Sequence, residues 1–216
     1  DWIAFLDSDD VWEPQKFIEV KKVLDKKNFD LIYHAMYYLP KSLGFIKKKI
    51  SNLSNYIEEP IFDTLVKNGN GIANSSVVVK KEKLINIDLI SEKNEKFSWE
   101  DFDCWLRLAL KKNKFYFINK SLGYIWTGSG RVSNDRQLYT NSKNFIKVYK
   151  NSITDILGKT NKRPMWILYI YANYFFKKKQ YFKSFYFMKC VKEKSFKLKI
   201  KYIIAQLMIF FKKRAL

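Results

Sequence analysis

The sequence predicts an α/β domain followed by a helical tail. Three observations predict it: short apolar runs rich in β-formers end at polar turns, helix-period stretches lie between them, and the composition shifts abruptly at Pro164. The 216 residues are 47% apolar and 29% charged with only 7 Gly and 4 Pro, which excludes a disordered, collagenous or low-complexity chain and suffices for a sizeable core. The organisation reads as a domain over residues 1–160 and a basic aromatic helical tail over residues 161–216.

Trp2 to Leu6 form a continuous apolar run that stops at Asp7-Ser8-Asp9-Asp10, the pattern of a buried strand ending in a polar turn. A helix follows: Pro14 suits its first turn, and Phe17, Ile18, Val20, Val23 and Leu24 recur at helical spacing up to Lys27. Asp30 to Tyr38 predicts a second strand. Residues 40–60 lack periodicity and read as loop, with a short helix from Ile61 to Val66. Gly69 and Gly71 break the chain before a third strand, Ser76 to Val79. The clearest helix begins after Ser98 as N-cap. Trp99, Phe102, Trp105, Leu106, Ala109 and Leu110 fall in one stripe, about 140° wide. Phe115 to Ile118 and Leu122 to Trp126 read as two short strands, Gly128 to Gly130 as a loop, and Asp135 onward as a helix. Within the tail, Leu168 to Val191 carries Tyr181-x-x-Ser184 and spaced aromatics, and reads as two packed helices.

Charge is the strongest compositional signal: 41 Lys+Arg against 21 Asp+Glu gives +20. A lysine-, asparagine- and isoleucine-rich composition accounts for part of this. The functional accounts are nucleic acid, an anionic membrane or a polyanionic substrate. Cys104 and Cys190 are far apart and lack metal-ligand spacing, which argues against a disulfide framework or a zinc module and fits a reducing compartment. No uncharged apolar run reaches the ~18 residues of a spanning helix. His34 sits in a strand-like stretch without a partner and reads as a packed or surface residue.

Two acidic clusters carry the chemistry. Asp7, Asp9 and Asp10 at the end of a buried strand repel one another unless a cation or dipole compensates them. Open α/β sheets bind ligands beyond the carboxyl ends of their strands. Hard oxygen ligands there suit Mg²⁺ or Mn²⁺. The alternative is a solvated turn that starts the helix near Glu13. In the second cluster, Glu100 and Asp101 lie side by side at a helix mouth next to Trp99, where a carboxylate can act as a base beside an aromatic platform for a sugar face. Its alternative is structural: a capping box from Ser98 to Asp101 and an i,i+4 pair from Asp103 to Arg107.

Together the clusters resemble glycosyltransferase family 2. Phe5-Leu6-Asp7-Ser8-Asp9-Asp10-x-Trp12-x-Pro14 is similar to its Asp-x-Asp segment, and Trp99-Glu100-Asp101-x-Asp103-x-Trp105-Leu106-Arg107-Leu108 to its later Glu-Asp motif. Asn74 to Val79 is similar to the strand between them, and Leu122-Gly123-Tyr124 with Gly128 to Ser133 to the stretch after them. The resemblance covers roughly residues 1–135 and implies a GT-A fold, a Rossmann-like mixed sheet flanked by helices. It implies transfer of a sugar, with inversion, from a nucleotide-sugar donor of the UDP-sugar type to a glycan or lipid-linked acceptor in bacterial cell-surface polysaccharide or lipooligosaccharide synthesis. Carried over by position, Asp9 binds the Mn²⁺ or Mg²⁺, Asp7 contacts the metal or the donor ribose, and Asp101 is the general base with Glu100 its neighbour. Arg131 and Arg136 are candidates for the diphosphate, and Trp12, Trp99 and Asp103 for substrate contacts. Family members begin with a strand-helix-strand half that holds the base and ribose. This sequence starts after it, and so reads as the later portion of such an enzyme or as a remnant without turnover.

In the tail, residues 164–216 hold 13 Lys/Arg and 15 aromatics against one acid, Glu193. Lys177-Lys178-Lys179 and Lys212-Lys213-Arg214 follow apolar runs, as in helices that lie in an anionic membrane interface. A hairpin packed on the domain with a solvated basic face is the alternative. The expected location is cytoplasmic, at the inner face of the membrane. The rival class is a non-enzymatic module binding membrane or single-stranded nucleic acid. It explains the charge and leaves both acidic clusters unexplained, so no nucleic-acid partner is expected.

Overall fold

The computed structural model describes residues 1–25, 28–39, 54–91, 99–126, 134–159, 163–192 and 194–214. The described residues form two compact units. The first runs to Trp126 and excludes Val66–Asn68; the second comprises Val66–Asn68 and the residues from Asn134 onward.

The first unit is mixed α/β. Among the described residues, strands β1 (Trp2–Ala4), β2 (Val11–Trp12), β3 (Leu31–Leu39), β4 (Val78–Lys80) and β5 (Phe115–Trp126) form one sheet in the order β1-β4-β3-β5-β2. Only β3 and β5 are parallel; the other pairs are antiparallel. Leu31 to Met36 are all buried, as befits an interior strand covered on both faces. Helix α1 (Lys16–Leu24) lays Val20 on Ile32, Val78, Ile118 and Leu122, with Val23 and Leu24 at the margin. Helix α2 (Ile61–Asn68) stops at Gly69, whose φ of 87° suits a residue without Cβ. A 3-10 turn (Asn74–Ser76) precedes β4, so that strand starts at Val78 rather than Ser76. A short helix, α3 (Lys81–Ile85), follows it. Helix α4 (Glu100–Leu110) buries Phe102, Cys104, Trp105, Leu106 and Leu108, a broader face than the expected stripe, while Leu110 is exposed. Ser98, the expected N-cap of α4, lies outside the described residues.

Two strand expectations change. Residues 115–126 make one strand, and the polar Asn119-Lys120-Ser121 that suggested a gap marks a bulge where the register with β3 slips beyond His34. Strand β2 is too short to show periodicity. It lies against β5 at Gly123, where a Cβ would come within 2.8 Å of the Val11 carbonyl oxygen, so the glycine is needed for close backbone approach. The expected loop over residues 40–60 is irregular from Ser54 to Pro60, and its earlier part lies outside the described residues.

The second unit is helical: α5 (Asp135–Val148), α6 (Lys150–Leu157), α7 (Met165–Lys177), α8 (Tyr181–Cys190) and α9 (Phe196–Arg214). Its N-terminal boundary falls earlier than residue 161, because α5 packs on α7: Tyr139 stacks on Tyr174 at 4.3 Å and meets Tyr171 at 4.8 Å. Asn134 caps α5 in a reciprocal capping box with Gln137. Helices α7 and α8 form the expected packed pair. Ser184 donates its hydroxyl to the Ala172 carbonyl at 2.8 Å where both residues are fully buried, so small side chains let the backbones approach. No described helix is long and apolar enough to cross a membrane. Both cysteines are free; burial pushes the Cys104 thiol up to about 12, and Cys190 is exposed.

Candidate active site

The acidic turn hangs between two strands. After β1, Phe5 N–H donates to the Val77 carbonyl, the Asp10 N–H closes a turn on the Asp7 carbonyl at 3.1 Å, and β2 then pairs with β5. Asp7 and Asp9 are exposed at the tip. Asp10 points back: its carboxylate accepts from the Trp126 N–H at 3.1 Å and from the Ser75 hydroxyl. Desolvation raises its pKa, with the charges of Asp7 and Asp9 adding to the rise.

Ser75, fully buried in the 3-10 turn, organises this region. Its Oγ accepts from the Asp7 N–H at 2.9 Å, and its carbonyl accepts from the Trp12 indole N–H at 2.7 Å and from Lys16 Nζ at 2.9 Å. Lys16 is itself fully buried, with its ammonium 3.8 Å from the centre of the Trp12 ring. Loss of hydration lowers its pKa to about 7. His34 is buried close by; desolvation, abetted by the charge of Lys16, drops it to about 4, so it stays neutral, with Nδ1 2.8 Å from the Ala35 carbonyl. The region thus contains a basic amine as well as acids. Sequence reasoning passed over Lys16 and Ser75. A lysine in the first turn of an amphipathic helix looks solvated, and only the position of Lys16 on the inward side with Val20 hinted otherwise.

The second acidic cluster joins the first through the segment 69–77. Asn74 Nδ2 donates to Asp7 Oδ1 at 2.7 Å, and Asn70 Nδ2 donates to Asp101 Oδ2 at 3.0 Å. Asn70 is held in turn by the Ile72 N–H on its Oδ1. Asp101, in the first turn of α4, accepts from the Phe102 N–H on its other oxygen. Desolvation pushes its pKa up to about 6, and the charges of Glu100 and Asp7 both contribute. Two acids from distant parts of the chain therefore stand within electrostatic reach of each other.

The remaining expected residues divide. Glu100 is exposed beside Asp101, and Trp99 is half-buried with its ring against Phe102. Trp12 has its N–H and one face occupied by Ser75 and Lys16, so its contacts are internal. Asp103 does not face a substrate surface: it is buried and bonded to Arg107 Nε at 2.8 Å, while Arg107 Nη1 donates to the Ile87 carbonyl. The helical i,i+4 spacing turns that carboxylate onto its own helix. Arg131 and the glycine loop lie outside the described residues. Arg136 is an exposed first-turn residue of α5, in the second unit.

The acidic turn offers hard oxygen donors of the kind a divalent ion takes. Asp7, Asp9 and Asp10 form no ion pair among the described residues; Asp7 is met by the Asn74 amide, and Asp10 by the Trp126 N–H and the Ser75 hydroxyl. No group of three or more His, Cys, Asp or Glu side chains is placed to hold a metal among the described residues. Asp7 and Asp9 are exposed carboxylates, the donor type that an ion such as Mg²⁺ takes alongside phosphate and water. Neither a family model nor a curated protein sequence matches this chain at a significant level.

Proposed function

We propose that the first unit belongs to an inverting, metal-dependent glycosyltransferase of GT-A type, using a nucleotide-sugar donor and a glycan or lipid-linked acceptor. The observation that carries this reading is that Asp7 and Asp101 are both held by the segment 69–77, each by its own asparagine, within electrostatic reach of each other.

Asp7 and Asp9 would hold a divalent ion, which when bound compensates charge on the diphosphate leaving group. Asp101 takes the proton of an acceptor hydroxyl as that oxygen bonds to the anomeric carbon and the nucleoside diphosphate departs from the opposite side. Its raised pKa, about 6, keeps it mostly ionised at neutral pH while improving it as a proton acceptor. Asn70 fixes one carboxylate oxygen and Phe102 N–H the other, which limits rotation of the base. Glu100 and Trp99 flank it for contacts to the sugar.

The test is titration of UDP and a UDP-sugar into the protein with and without Mn²⁺, alongside a single-stranded oligonucleotide over a salt series. Manganese-dependent nucleotide binding with no oligonucleotide affinity at physiological salt supports the transferase reading. Salt-sensitive oligonucleotide binding without nucleotide affinity overturns it.

A further inference from the structure

Helix α9 is apolar on two opposite faces. Leu198 and Ala205 are fully buried, and Leu198 packs in a cluster with Ala172, Met188 and Val191. On the other side Phe196, Ile200, Ile203, Ile204, Leu207 and Phe210 are all exposed, with Phe196 at 78%, Ile203 at 55% and Leu207 at 50%. At 3.6 residues per turn these six fall within an arc of roughly 120°, centred nearly opposite the packed face. A helix with apolar residues around so much of its circumference is normally covered on all sides. The described residues cover only one of them.

The charge bordering the arc identifies what covers the rest. Lys197 and Lys199, both exposed, lie just outside its two edges, and Lys212-Lys213-Arg214 follow in the sequence after Phe211. A second copy of this chain would bring like charges together along both borders, on molecules of formal charge +20. A nucleic acid would find rings only at the two ends of the face, Phe196 and Phe210, about 20 Å apart along the helix, with the aliphatic Ile200, Ile203 and Leu207 between them and no run of stacking platforms. An anionic lipid surface satisfies both features: the aliphatic centre enters the headgroup–acyl boundary and the bordering lysines meet the headgroups. Because no described helix can cross a bilayer, α9 would lie in the plane of the interface.

We infer that the exposed face of α9 is a docking surface for an anionic membrane. This holds whether or not the first unit is a transferase, and its test needs no donor or acceptor. The full chain is floated with phosphatidylcholine vesicles, with and without phosphatidylglycerol, at low and high salt. Binding is expected only to the phosphatidylglycerol vesicles and should weaken about tenfold or more at high salt as the lysines are screened. Lys197→Gln with Lys199→Gln should weaken it about twenty-fivefold, about fivefold for each charge. Ile203→Glu with Leu207→Glu should abolish it. Both positions are exposed, and circular dichroism checks the fold; the lysine pair leaves every apolar contact intact and keeps the test decisive. Equal binding to both vesicle types, binding that survives Ile203→Glu with Leu207→Glu, or a dimer without vesicle binding that this pair converts to monomer would each overturn the inference.

Discussion

Replacing Lys16 by methionine should stabilise the first unit at neutral pH. The Lys16 side chain is fully buried, its ammonium bonds only the Ser75 carbonyl and the Trp12 face, and it pairs with no carboxylate among the described residues. Lost hydration drops its pKa from 10.5 to about 7. Between those values the unfolded chain binds more protons at this site than the folded one, so its contribution to stability improves as pH rises, by ~1.4 kcal/mol per pH unit. At pH 7 the buried amine therefore costs about 4 kcal/mol. Methionine fills a similar volume without charge. The variant forgoes one hydrogen bond, about 1 kcal/mol, and part of a cation–π contact of similar size. A net gain of about 2–3 kcal/mol at pH 7 should shrink steadily and reverse by about pH 10.5. Urea unfolding followed by tryptophan fluorescence reads this unit, since Trp2, Trp12, Trp99, Trp105 and Trp126 belong to it and only Trp166 to the other. The difference between the two proteins isolates Lys16 from every other titrating group. A methionine variant no more stable than wild type at pH 7, or a difference that does not change with pH, refutes an uncompensated buried cation. The expected stabilisation would instead mark Lys16 as a residue retained at the expense of stability, the pattern of functional sites.

Asp101→Asn should reduce transfer by ~10²-fold or more while leaving nucleotide and metal binding intact. Near-wild-type turnover would remove Asp101 as the base. For the unmodified protein, because the base acts only when ionised, kcat/KM should fall about tenfold per pH unit below about 6 and level off above it; a flat profile from pH 5 to 7 contradicts the assignment. Asp9→Ala should weaken Mn²⁺-dependent UDP binding at least tenfold in calorimetry, without altering the urea midpoint, since this side chain is exposed. Arg107→Met should cost about 3 kcal/mol in the same unfolding assay, by leaving the buried Asp103 carboxylate without its guanidinium; a loss under ~1 kcal/mol would mean that the pair does not stabilise the fold.

Much of this architecture is legible in the linear pattern. The apolar runs at Trp2 and Leu31, the helical period from Lys16 and from Glu100, the glycine stop at Gly69 and the compositional shift at Pro164 each express a local rule: pleat or helix period, backbone freedom, or burial of rings. The two acidic clusters are legible for the same reason, since gathering like charges locally is costly and therefore conspicuous. What the pattern cannot carry is direction and distance in space. Whether Asp103 faces outward or pairs with Arg107, whether β5 breaks or bulges at Asn119, and whether Lys16 is solvated or sealed against Ser75 depends on partners remote in sequence. The approach of Asp7 to Asp101 is likewise a tertiary outcome, because the residues that orient them, Asn70 and Asn74, act only once the segment between α2 and β4 is folded across both. Local chemistry names the charged groups; long-range packing decides which of them meet, which are buried, and at what pKa they act.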